Sequence, residues 1–190
     1  NRKQAGEDFY FLQKMFSLGQ IEELNTTCVY PSPRPSDRVI FGTGPAIKSL
    51  IENPEQNYLT YSFEAFDNLK SFFRIVDQLY KINMNDLNEI IYQVPLPVAD
   101  FLLQNDFFTS VQEINKNSSN IKAFKKRFFE WFNAFKIIKY LNYVHEKFYQ
   151  KQEHIGECKK LLEKLKMGRS IMKEDYFDFL IYFRKTERSL

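Results

Sequence analysis

The chain has 190 residues, 44% of them hydrophobic and 17% aromatic, with twenty Phe. That length and apolar share suffice for a packed interior and exclude general disorder. The formal net charge of +3, from 27 Lys and Arg against 24 Asp and Glu, is too small to argue for nucleic acid.

Glu7 to Leu18 is predicted as a helix that stops at Gly19. Asn25-Thr26-Thr27-Cys28-Val29-Tyr30 reads as a short strand, rich in β-branched and aromatic residues. Pro31-Ser32-Pro33-Arg34-Pro35-Ser36 is extended loop, because each Pro bars helix at the residue before it. Val39-Ile40-Phe41 is a candidate second strand. Gly42-Thr43-Gly44 then turns the chain, and Pro45 fits the first turn of a helix to about Asn53.

From Ser62 onward the pattern is helical. Phe63, Phe66, Leu69, Phe73, Val76 and Tyr80 recur at three- and four-residue steps. Met84 to Val94 is the next predicted helix, with Asn83 or Asn85 as its cap. Pro95-Leu96-Pro97 breaks the chain before a helix from Val98 to about Gln104, and Asp106 caps another near Phe107 to Ile114. Asn115 to Asn120 is a loop. Ile121 to about Lys151 is predicted as the longest helix, since it holds neither Gly nor Pro. Two more, about Ile155 to Met167 and Lys173 to Arg188, are separated by Gly168.

Four of the six glycines lie within the first 44 residues and all seven prolines at or before Pro97, so the front is punctuated and the back is not. No apolar run approaches the ~20 residues that span a bilayer. Asn1-Arg2-Lys3-Gln4 has no apolar segment after it and is not expected to be a signal peptide. Cys28 and Cys158 are too few and too distant for a disulfide scaffold and read as free thiols of a reducing compartment.

Three features carry chemistry beside an ordinary structural reading. Between residues 122 and 151 there are eight Lys or Arg and two Glu among Phe124, Phe128, Phe129, Trp131, Phe132, Phe135, Tyr140 and Tyr143. A basic aromatic helix can lie in a membrane interface or stack on single-stranded nucleic acid. Its helical spacing favours a Phe-lined core face with a solvated Lys face. Gly42-Thr43-Gly44-Pro45 lacks the further residues of a phosphate-binding loop and reads as a tight turn. His154 and Cys158 lack the two further ligands of a zinc site, and no nucleophile elbow or triad signature appears.

Glu7-Asp8 is the sharpest candidate. Acidic residues in a first turn are favoured by the helix dipole alone. The flanks add more: Gly6, Glu7, Asp8, Phe11, Lys14 and Gly19 form Gly-Glu-Asp-x-x-Phe-x-x-Lys-x-x-x-x-Gly. This resembles the acceptor-side acidic motif of bacterial, inverting, family 2-like glycosyltransferases of the GT-A type. Thr27-Cys28-Val29-Tyr30-Pro31 looks like the strand that ends that catalytic domain, and Ser32 to Gly44 like its exit loop.

The resemblance covers about the first 45 residues and implies roles. Asp8 would be the general base, and Glu7 would support it or contact the acceptor. Arg34 and Arg38 fall where such transferases place a Gln/Arg-x-x-Arg-Trp segment near the donor diphosphate or the acceptor. Here the spacing is Arg-x-x-x-Arg and the Trp is missing, so an exposed basic loop with local ion pairs through Asp37 is the competing reading. The family's Asp-x-Asp and its nucleotide pocket would lie upstream.

The expected fold is therefore mainly α: a multi-helix domain with one or two short strands near the N-terminus. Residues 1–45 are expected as the distal end of a glycosyltransferase catalytic domain, and 46–190 as a helical C-terminal domain. The expected function is the C-terminal part of an inverting transferase, itself inactive because the donor-binding half is missing. Its partners would be a nucleotide-sugar donor and a glycan or lipid-linked acceptor, with peripheral membrane contact and no nucleic acid. Mg or Mn would serve the full-length enzyme, and no cofactor-binding or metal-ligating residue is assigned in this chain. The expected place is the cytoplasm or the inner face of the membrane. The alternative is a non-enzymatic helical module that docks a partner or a membrane surface.

Overall fold

The computed structural model describes residues 7–19, 42–53, 59–167 and 176–187, together with 22, 24, 26–27, 29–30, 32 and 34–35. The chain divides into two compact units, Asn1–Tyr58 with Leu180–Leu190, and Leu59–Phe179. The architecture is mainly α with one two-stranded antiparallel sheet. That is the expected fold class.

In the first unit α1 spans Glu7–Leu18 and α2 spans Thr43–Glu52. Gly19 ends α1 at φ +74, a left-handed conformation open to glycine at little cost, and its N–H donates to Phe16 O at 3.1 Å. Gly42, at φ +113, turns the chain into α2. The described residues of the expected first strand, Thr26, Thr27, Val29 and Tyr30, take no strand. The second, Val39 to Phe41, lies outside the described residues, as does Arg38.

The second unit carries the strands. β1 (Leu59–Thr60) pairs with β2 (Gln152–Glu153), Leu59 opposite Glu153 and Thr60 opposite Gln152. Between them run α3 (Phe63–Phe73), a 3-10 turn (Val76–Leu79), α4 (Met84–Gln93), α5 (Leu96–Leu103), α6 (Phe107–Lys116), α7 (Ile121–Trp131) and α8 (Ala134–Lys147). After β2 come α9 (His154–Lys164) and α10 (Tyr176–Glu187), the latter beginning in this unit and ending in the other.

α5, only eight residues long, is the hub. It packs against α3, α4, α6 and α8 and buries Val98, Ala99, Phe101 and Leu102. Around it lie Phe72, Phe107, Phe124, Phe128, Phe132 and Tyr140, all at most 1% exposed. Phe128 and Phe132 stack at 6.2 Å with 8° between planes, and Phe101 meets Tyr140 edge-on at 5.4 Å. Each such ring contributes roughly 1.5–3 kcal/mol by burial, and edge or offset contacts add about 0.5–1.5 kcal/mol a pair.

Two predicted helices are shorter than their periodicity suggested. The run from Phe63 to Tyr80 leaves the helix after Phe73, because Asn115 of α6 gives the chain another way to satisfy its backbone. Its Nδ2 donates to Leu79 O at 2.8 Å and its Oδ1 accepts Lys81 N–H at 2.6 Å, where Lys81 sits at φ +55. The expected single helix from Ile121 to Lys151 is two helices joined at Phe132-Asn133. Asn133 Nδ2 donates to Glu130 O at 3.1 Å, while its Oδ1 accepts the N–H groups of Phe135 at 3.0 Å and Lys136 at 3.2 Å. One side chain thus ends α7 and caps α8. The bend lets α7 pack on α6 while α8 packs on α5.

Candidate functional site

The acidic motif opens α1. Asp8 is exposed in the first turn, and its Oδ1 accepts Phe9 N–H at 2.8 Å. Its Oδ2 makes no bond among the described residues, so one carboxylate oxygen faces solvent and can accept a proton or a hydroxyl. Glu7 is the first residue of the same helix, and its side chain is not among those described. Arg34 is exposed in irregular chain, its N–H donating to Ser32 O at 2.9 Å. The described residues therefore hold Asp8 and Arg34 as separate exposed groups.

In the second unit the polar chemistry gathers where β1 delivers α3 and β2 delivers α9. Three N–H groups at the start of α3 have side-chain acceptors. Ser62 N–H donates to His145 Nε2 at 2.8 Å, Phe63 N–H to Glu157 Oε2, and Glu64 N–H to Ser62 Oγ at 3.3 Å. His145 Nδ1 lies 2.7 Å from Leu141 O and donates there, which leaves Nε2 as the acceptor and sets the tautomer. Burial alone would push the Glu157 carboxyl up. Its bonds from Lys160, at 2.6 Å, and from Phe63 N–H outweigh that and hold it below the ordinary carboxylate value.

Beside this clamp is an apolar cavity of about 300 Å³, lined by Tyr61, Phe63, Phe66, His154, Cys158 and Leu161 among others. A cysteine beside a histidine invites a nucleophile reading, and the geometry opposes it. Cys158 Sγ lies 3.8 Å from Nδ1 and 3.9 Å from Nε2 of His154, long contacts near the outer limit for a sulfur hydrogen bond and nearly equal to both nitrogens. Burial, and then the charge of Glu157, push the thiol above its ordinary value. An activated thiol needs the opposite shift.

The basic aromatic stretch resolves into a core face and a solvated face. Phe124, Phe128 and Phe132 are buried, Lys122, Lys126 and Arg127 are exposed, and Lys125 pairs with Asp77 at 2.8 Å. No described helix is long and apolar enough to cross a membrane. Among the described residues no group of three His, Cys, Asp or Glu could hold a metal ion.

The clamp residues His145 and Glu157 went unseen in the sequence, because their partners lie 83 and 94 positions away. No protein-family model, curated protein or solved structure matches the chain.

Proposed function

We propose that the chain is the C-terminal part of an inverting glycosyltransferase, in which Asp8 serves as the general base and the unit Leu59–Phe179 is an accessory helical domain. The observation that carries this reading is the first turn of α1, where Asp8 is exposed with Oδ2 unengaged among the described residues. The helix also runs over the motif's span and ends at its glycine.

In the proposed reaction an acceptor hydroxyl oxygen attacks the anomeric carbon of a nucleotide sugar from the face opposite the diphosphate. The carbon–phosphate-oxygen bond breaks, and its electron pair leaves with the nucleoside diphosphate. The hydroxyl proton passes to Asp8, and the configuration at the anomeric carbon inverts. A hydroxyl is a poor nucleophile, and a positioned carboxylate contributes roughly 10²–10⁴-fold by accepting its proton in the transition state. Glu7, one residue earlier, supports the base or contacts the acceptor. Arg34 and Arg38 supply guanidiniums for the diphosphate or the acceptor.

The test uses the longer gene product that carries the donor half. Asp8→Asn should lower turnover by roughly 10²–10⁴-fold, with nucleotide-sugar binding by calorimetry and the thermal midpoint unchanged. Retained turnover removes Asp8 from the base role. If the longer protein binds no UDP or GDP sugar in the presence of Mn²⁺, the transferase reading falls and the helical docking module is the better account.

A further inference from the structure

Between α6 and α7 lies a cavity of about 220 Å³ whose lining differs in kind from the apolar one. Ser110, Glu113 and Ile114 sit at helical spacing on α6 with Asn117 just past its end, and Arg127, Glu130 and Trp131 sit on α7. Trp131 and Ile114 make an apolar wall, and the rest ring it with hydrogen-bonding groups.

Those groups are mostly unspent. The carboxylates of Glu113 and Glu130 and the guanidinium of Arg127 line one cavity without closing an ion pair among the described residues. The Trp131 indole N–H and the Ser110 hydroxyl likewise have no side-chain hydrogen bond among them. Asn117 donates through Nδ2 to Glu113 O at 2.9 Å, which leaves its Oδ1 as an acceptor. Lys136, whose ammonium lies 3.8 Å from the Trp131 ring centroid, does not line the cavity.

We propose that this cavity is a binding subsite for a single sugar ring, placed on the helical unit Leu59–Phe179. Three features select that chemistry. Two carboxylates against one guanidinium disfavour a phosphate or other anion, and the guanidinium disfavours a cation. Mixed donors and acceptors suit hydroxyls, each of which both donates and accepts. Trp131 and Ile114 offer apolar atoms against which the C–H groups of a pyranose can pack, with Lys136 lying over a face of the indole. The volume lies below the roughly 300–1,000 Å³ of pockets for drug-sized ligands, so one ring is the fitting size.

Trp131 is the sole tryptophan of the chain, so its emission reads this site alone. The full chain would be titrated with the methyl glycosides of glucose, galactose, mannose and N-acetylglucosamine, with saturation-transfer NMR on the same panel. At least one should change the emission saturably and show transfer from the protein. The exposed pair Arg127→Met with Glu130→Gln should weaken that binding about tenfold or more, at an unchanged thermal midpoint. Asp8→Asn should leave it untouched, which separates this site from the transferase reading. Silence of all four sugars in both measurements, or equal binding by the double variant, overturns the subsite.

Discussion

The Glu157 carboxylate accepts the backbone N–H of Phe63 across 94 positions of sequence. Glu157 stands in the first turn of α9 and Phe63 opens α3, so one negative charge serves the positive ends of two helices that the sheet brings side by side. Lys160 offsets that charge on the solvent side. Because the folded carboxyl titrates below its ordinary value of 4.5, its stabilisation is complete above that value and is lost as pH falls through the lower, folded one. Glu157→Gln should cost roughly 1.5–3 kcal/mol at neutral pH. Urea unfolding at about pH 7 and again near pH 3 checks it. The gap between wild type and variant should shrink in acid, and an equal gap at both would show that the charge is not what holds α3.

Asn133 should behave as a joint between helices rather than as a surface residue. Asn133→Ala removes the acceptor of two N–H groups and the donor to Glu130 O, and should cost about 1–2 kcal/mol. For the whole chain that corresponds to a fall of roughly 2–8 °C in thermal midpoint. Asn133→Asp keeps the cap of α8 and should recover most of the loss. If Ala proves neutral, packing at Phe132 alone breaks the helix.

The difference between what was and was not legible follows from where the stop signals sit. α1 and α2 were readable because Gly19, Gly42 and Pro45 are local signals, and α4 and α5 because Asn83 and Pro95 stand beside the helices they start; Asp106 precedes α6 as expected but at φ +54 and without a side-chain cap bond. The bends at 74–81 and 132–133 contain neither Gly nor Pro. Asn115 satisfies the first from 34 and 36 positions away, and Asn133 makes the second by bonding in both directions. A single sequence offers many asparagines and does not say which carbonyl each will meet. The acidic motif was legible as a local pattern, whereas the clamp at Phe63 and the cavity at Trp131 exist only once α3, α6, α7 and α9 have packed.

Cys158 should be a slow thiol. Burial and the neighbouring Glu157 carboxylate raise its pKa above the ordinary 9.0, which lowers the thiolate fraction at neutral pH. In a Cys28→Ser background, alkylation by iodoacetamide at neutral pH should run several-fold slower than for a free cysteine. Urea should restore the ordinary rate. Fast alkylation of the folded protein would mean that the thiolate is stabilised, and would reopen His154 as its partner.

Arg34 separates a working guanidinium from a solvated basic loop. It is exposed, so its own folding contribution is small, and any large effect of its loss must come through a ligand. A guanidinium meeting a diphosphate makes charge-assisted bonds worth roughly 1.5–3 kcal/mol each. If the proposed transferase reading holds, Arg34→Ala in the protein that carries the donor half should raise the KM for donor or acceptor about 10–100-fold. Arg34→Lys should recover only a minor part, since an ammonium cannot present two parallel N–H groups. The same series at Arg38, which lies outside the described residues, shows whether the two act as one clamp, because the double variant would then lose less than the product of the single losses. Unchanged kinetic constants in both would leave this segment as an exposed basic loop with no part in transfer.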